Sequence, residues 1–317
     1  MPRLRIRRSV MSASVTALVV LAGTAAGGAY LTSHSADGAA DPVASVASAS
    51  SRAASPGGGT PSATRSEEPA VDYDALVAAA VRPVAGDARL SVAVLDTESG
   101  ESGAYESTAG QTFDTASIVK VDILAALLLA AQDEGRELTA SERASAATMI
   151  ENSDNASATR LLQVVGGASA LDAANERLGL TGTTASHAWG LTRTTAADQV
   201  RLLEAVFAPS AGTAGSPLSA SPLSADSRAY VQELMGQVEA DQRWGVSAAG
   251  GAALLKNGWM PRTTTGLWDI NSVGRVESGG RTYLVAVVSD GHATQQAGIT
   301  LVEAAAKAAV GALAAAG

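Results

Sequence analysis

Apolar positions recur along this chain with two different periods, and the order of those periods predicts a fold. Residues 72–84 place Leu76, Val77, Ala80 and Val81 at helical spacing. Residues 90–96 alternate as a strand does and run into Ser99-Gly100, a turn signal. The helical period then dominates, over residues 117–133, 144–150, 156–165, 169–178, 195–207 and 224–239. Strand-like runs return at 252–256, 267–276 and 282–289, the last two joined across Gly279-Gly280. An alanine-rich helix over residues 294–316 follows. This is not the strand–helix alternation of a parallel sheet. It predicts an α+β fold: an antiparallel sheet built from both chain ends, flanked by helices, with a helical subdomain inserted and a pocket where the two meet.

The first 70 residues stand outside that pattern. Arg3, Arg5, Arg7 and Arg8 precede 25 uncharged residues running from Ser9 to Ser33. A stretch of that length spans a bilayer as a helix, with its basic flank on the cytoplasmic side. A cleaved signal peptide fits the same residues, since small residues such as Ser33 and Ser35 suit a cleavage site. Either way residues 1–34 are an export signal, and the rest is expected on the outer face of the membrane or secreted. Residues 35–70 are almost entirely Ala, Ser, Gly, Pro and Thr, too poor in apolar bulk to offset the entropy of ordering, so a flexible linker is expected. Residues 71–317 form the expected globular domain.

Charge sharpens this division. The chain carries a net −9, yet residues 1–70 hold six arginines and only four acids. The remaining 247 residues therefore carry 16 cations against 27 acids, an acidic surface that excludes nucleic acid as a partner. With no cysteine, disulfides, thiolate metal sites and a thiol nucleophile are all excluded. Three scattered histidines argue against a metal site. Of 22 cationic residues only Lys120, Lys256 and Lys307 are lysines.

Two of those lysines fall in short motifs. Ser117-Ile118-Val119-Lys120 is S-x-x-K at a helix start, Ser153-Asp154-Asn155 is S-D-N between two helices, and Lys256-Asn257-Gly258 is K-x-G at a strand end. Positions i and i+3 share a helix face, so the Lys120 amine reaches the Ser117 hydroxyl. A serine hydroxyl needs a base beside it, and lysine serves when burial and nearby positive charge hold it neutral. Arginine cannot, because its guanidinium stays protonated.

In this order and context the three motifs resemble the penicillin-recognising serine acyltransferases, and most closely class A β-lactamases. The resemblance extends over residues 72–317, through Thr148-Met149, Leu161-Leu162, Gly166-Gly167 and the strand pair after Lys256. It implies the β-lactamase/D,D-peptidase-like fold, with Ser117 as the acylated nucleophile, Lys120 as its base and Ser153 as the proton relay. It further implies that Asn155 positions Lys120 and substrate, that Lys256 offers charge to a substrate carboxylate, and that Gly258 lets substrate lie along the strand. The backbone N–H groups of Ser117 and Trp259 would form an oxyanion hole, with Arg262 a further candidate for carboxylate recognition. No metal or organic cofactor is implied, and a monomer is expected. The implied partner is a small β-lactam or a peptidoglycan stem peptide.

Departures from the pattern matter as much. Class A enzymes use a glutamate to drive water onto the acyl-enzyme, but residues 181–195 contain no acid. Family spacing lands near Trp189, with His187 the nearest titratable substitute. Ser117 and Ser153 are only 36 positions apart, Asn257 replaces the usual threonine, and bulky Trp259-Met260 follow. Acylation of Ser117 with slow deacylation is therefore expected. A D-alanyl-D-alanine peptidase and a non-hydrolytic penicillin-binding envelope module are the alternatives.

Overall fold

In a computed structural model, which describes residues 71–209, 216 and 218–316, the two ends of this region meet in one sheet. The strands are β1 (Arg89–Asp96), β2 (Ser102–Glu106), β5 (Gly251–Pro261), β6 (Trp268–Ser278) and β7 (Arg281–His292), in the order β2-β1-β7-β6-β5 and antiparallel throughout. Two short strands, β3 (Phe113–Asp114) and β4 (Arg193–Thr194), pair separately. The helices are α1 (Tyr73–Ala85), α2 (Val119–Asp133), α3 (Ala140–Glu151), α4 (Asn155–Val165), α5 (Ala168–Arg177), α6 (Ala196–Phe207), α7 (Ala225–Gly236) and α8 (Gln295–Ala316). The α+β expectation holds, and the expectations for residues 1–34 and 35–70 fall on residues outside those described.

Register explains why the sheet buries both faces. Val92 pairs with Val287 and Val94 with Val285, while the residues between them, Ala93 and Ala286, point the other way and are also buried. Helices α1 and α8 pack together and α8 lies on β1, β6 and β7, whereas α6 packs on the same strands from the helical side. Helix α8 is long and apolar enough to cross a membrane, but Val302, Ala305, Ala309 and Leu313 are buried in the core. The turn between β6 and β7 uses Gly279 and Gly280 at φ 59° and 81°, values that glycine adopts without steric cost. In the helical block, α2 is apolar on nearly every side and correspondingly buried, with α3, α4, α5 and α7 against it. A Thr139–Glu142 capping box starts α3.

Three sequence expectations need correction. Helix α7 ends at Gly236 rather than 239, because the chain turns there and Glu239 N–H donates to the Glu151 carbonyl at the end of α3. The K-x-G motif lies inside β5, not at its end: the strand continues to Pro261, with Asn257 opposite Ser272 and Gly258 opposite Asn271. Ser117 sits in a 3-10 turn, Ala116–Ile118, before α2 proper.

One buried group on α2 has a measurable consequence. Asp122 is fully buried, and neither carboxyl oxygen has a donor; the nearby Gln199 Oε1 also lacks one. Burial first, and then the charge of Asp198, push the Asp122 pKa up to about 8. Asp198 itself stays satisfied by Gly182 N, Thr183 Oγ1 and Arg201. Since the unfolded chain releases this proton near pH 3.8, stability falls as pH rises from about 4 to about 8, by at most ~1.4 kcal/mol per pH unit. Asp122→Asn removes that slope. Urea unfolding at pH 5 and pH 8 should show the variant gaining on the native chain as pH rises, and parallel changes in the two proteins would refute it.

Candidate active site

The turn that presents Ser117 is strained and clamped. Ala116 has φ 47°, a left-handed value that costs a non-glycine residue roughly 1–2 kcal/mol. Pairing of β3 with β4 and a Thr115 N–H bond to Thr192 O (2.9 Å) hold one side of it. Asn271, fully buried on β6, holds the other: its Nδ2 donates to the carbonyls of Asp114 (2.9 Å) and Thr115 (3.0 Å), while its Oδ1 accepts from Ser289 N–H. Strand β5 lies directly against this turn at Gly258. A Cβ there would sit 2.7 Å from Thr115 O and 2.8 Å from Ser117 N.

Lys120, in the first turn of α2 and fully buried, faces four oxygens. Its Nζ lies 2.9 Å from Ser117 Oγ, 3.0 Å from Ser153 Oγ, 2.7 Å from Ser153 O and 2.8 Å from Asn155 Oδ1. Ser153 has φ 58°, the second strained residue of the site, and Asp154 caps α4 through Ser157 N–H, which fixes the S-D-N loop. Lys256 is also fully buried and donates to the same Ser153 Oγ (3.0 Å) and to Asn257 O (3.0 Å). Burial lowers Lys120 to about 8 against the pull of Asp154. Burial, reinforced by the Lys120 charge, lowers Lys256 to about 7. The cavity thus resists holding two ammonium charges, leaving a neutral amine accessible near physiological pH.

The seven residues singled out from sequence come together here: Ser117, Lys120, Ser153, Asn155 and Lys256 through side chains, Gly258 as the contact point, and Trp259 on the wall. Ser117, Asn155 and Trp259 line a cavity of about 430 Å³ whose other walls include Trp189, Leu191, Met260 and Pro261. Trp189, in the middle of the acid-free stretch, lays its ring 4.9 Å from Lys120 Nζ and donates from Nε1 to Thr159 Oγ1 (3.1 Å). His187 is exposed and does not line the cavity. Arg262 is turned away from it as well, paired with Asp114 and with Asp269 (3.0 Å), both buried. Asn257 donates to the carbonyls of Gln242 and Trp244. The sequence does not single out Asn271, because β6 mixes it with Asp269, Ser272 and Arg275 and one more polar residue there carries little signal.

The geometry is therefore a serine hydroxyl beside a desolvated amine, with a second hydroxyl bridging two lysines, which suits acyl transfer. A variant of PBP-A, solved as an acyl-enzyme complex with penicillin G, is similar to this chain in fold, with TM-score 0.58, 19% identity, and coverage of 76% of this chain and 97% of that one. So is a class A β-lactamase from Bacteroides cellulosilyticus, with TM-score 0.63, 17% identity, and coverage of 78% and 100%. A β-lactamase from Burkholderia vietnamiensis gives 0.59, 24%, 78% and 98%. At these identities the likeness is one of fold. No curated protein matches the chain. The model of the Beta-lactamase enzyme family matches residues 137–313, a segment that holds Ser153 and Lys256 but begins after Ser117 and Lys120. That match spans more than half of the sequence and the fold agrees with it, so the chain belongs to the beta-lactamase enzyme family of serine hydrolases.

Proposed function

We infer that the protein is an exported serine hydrolase that forms a long-lived acyl-enzyme on Ser117 with β-lactams or related amides and esters. The observation that carries this is the 2.9 Å contact between Ser117 Oγ and a fully buried Lys120 amine. Neutral Lys120 takes the Ser117 proton along that line as Oγ bonds to the carbonyl carbon. Ser153 Oγ, within 3.0 Å of both lysines, returns a proton to the leaving nitrogen or oxygen as its bond to carbon breaks.

Slow release is supported by what surrounds the acyl group. No carboxylate lines the cavity among the described residues, and Trp189, near where the family spacing would put a deacylating glutamate, lays its ring over the Lys120 amine instead. The same observation favours a second reading, a penicillin-binding module that traps its ligand.

Mass spectrometry of the protein during exposure to penicillin G tests both steps. The expected result is a stoichiometric adduct, absent from Ser117→Ala, that persists after excess ligand is removed. Trp189→Glu should shorten the adduct's lifetime by about tenfold, below the 10²–10⁴ of a well-placed general base because the new carboxylate is not preorganised. Rapid turnover by the native chain would refute slow deacylation, and no Ser117-dependent adduct would refute the nucleophile.

A further inference from the structure

The wall of the cavity carries an unusual combination: two fixed aromatic rings and, among the described residues, no accessible charge. Trp189 is held by Thr159 and by its position over Lys120, and Trp259 meets Trp244 edge-on with ring centroids 6.0 Å apart and planes at 61°. Leu191, Met260 and Pro261 complete the apolar lining, and only Ser117 and Asn155 interrupt it. Both rings are therefore in place before any ligand arrives, and a flat apolar group would not have to order them.

Each group from which a carboxylate receptor might be built is committed elsewhere. Arg262 is neutralised by Asp114 and Asp269, and Arg193 pairs with Asp114 (3.2 Å). The Asn257 amide donates into the backbone of Gln242 and Trp244. Lys256 is fully buried, with Ser153 Oγ and Asn257 O as acceptors, so it supports the proton relay from beneath and presents no exposed ammonium. An anion entering this space would shed its hydration against aromatic and aliphatic walls with no exposed cation to receive it, which is costly. An uncharged aryl or alkyl group loses nothing comparable and gains burial.

We propose that the site selects acyl donors whose substituents are uncharged and apolar, such as neutral esters and carboxyl-blocked β-lactams, over donors that carry a carboxylate beside the reacting carbonyl. The inference rests on Ser117 as the nucleophile. In the covalent step Ser117 Oγ bonds to the acyl carbon, its proton passes to Lys120, and the ester C–O or lactam C–N bond breaks. The leaving atom then takes a proton back through Ser153.

Penicillin G and its methyl ester differ only in the carboxylate, which makes them the test pair. Second-order rates of Ser117 adduct formation are measured by mass spectrometry on the native protein. Each is divided by that compound's rate of hydroxide hydrolysis, which removes intrinsic reactivity. The expected result is a normalised rate at least tenfold higher for the methyl ester. Equal rates, or a faster free acid, would overturn the selectivity while leaving the nucleophile intact. If neither compound labels Ser117, the acyl-enzyme reading itself fails and this inference falls with it.

Discussion

Lys120→Arg is expected to slow acylation of Ser117 by about a thousandfold, within the 10²–10⁴ that a positioned general base supplies. Both side chains are cationic donors, and an arginine placed here still finds Ser117 Oγ, Ser153 and Asn155 as acceptors. What changes is the proton. Burial brings the lysine amine down to about 8, from 10.5, so a usable fraction is neutral at pH 7. A guanidinium stays charged at any pH where the protein is folded. The native acylation rate should therefore rise with pH, half-maximal near 8 and level above about 9, while the arginine variant shows a low and flat profile. Lys120→Met, measured alongside with its thermal unfolding, separates the missing base from a misplaced helix. If Lys120→Arg keeps the native rate or the native pH profile, lysine is not the base.

That prediction rests on a part of the site legible in sequence. The i, i+3 spacing of Ser117 and Lys120 is a local property of a helix, and so is the capping of α4 by Asp154, which fixes Ser153. The antiparallel sheet was legible for a similar reason, since strand periodicity at both chain ends and two glycines at a turn are written residue by residue. Less legible were features that depend on which distant segments meet. Strands β3 and β4 are two residues each, too short to show a period, yet their pairing brings Trp189 to Lys120. Edge strand β2 contains Gly103 and alternates too briefly to stand out. Arg262 resembles a substrate ligand by its nearness to Lys256 in sequence, and only the fold reveals that Asp114 and Asp269 occupy it. The role of Asn271 depends on its closing onto Thr115, 156 positions earlier in the chain.

Gly258→Ala should reduce acylation by about a hundredfold without shifting its pH midpoint. The added Cβ would meet Thr115 O at 2.7 Å, Ser117 N at 2.8 Å and Ile118 N at 2.9 Å, all of them backbone atoms that no rotamer change can move. Gly258 adopts no left-handed conformation, so the collision itself is the perturbation. Relief requires β5 to part from the Ser117 turn, but both are fastened to β6. Gly258 pairs with Asn271 in the sheet, and the Asn271 amide grips the Asp114 and Thr115 carbonyls. The strain therefore moves the serine relative to the strand by a fraction of an ångström to about one, a displacement that costs on the order of 10² in rate when reacting groups must be aligned. The contacts of Lys120 with Ser153 and Asn155 are not touched by this change, so its proton affinity should be unaltered. A slower reaction with an unchanged midpoint thus marks misplacement, whereas Lys120→Arg loses the pH dependence altogether. Native-like acylation by Gly258→Ala would mean that the approach of β5 to Ser117 does not set the geometry of attack.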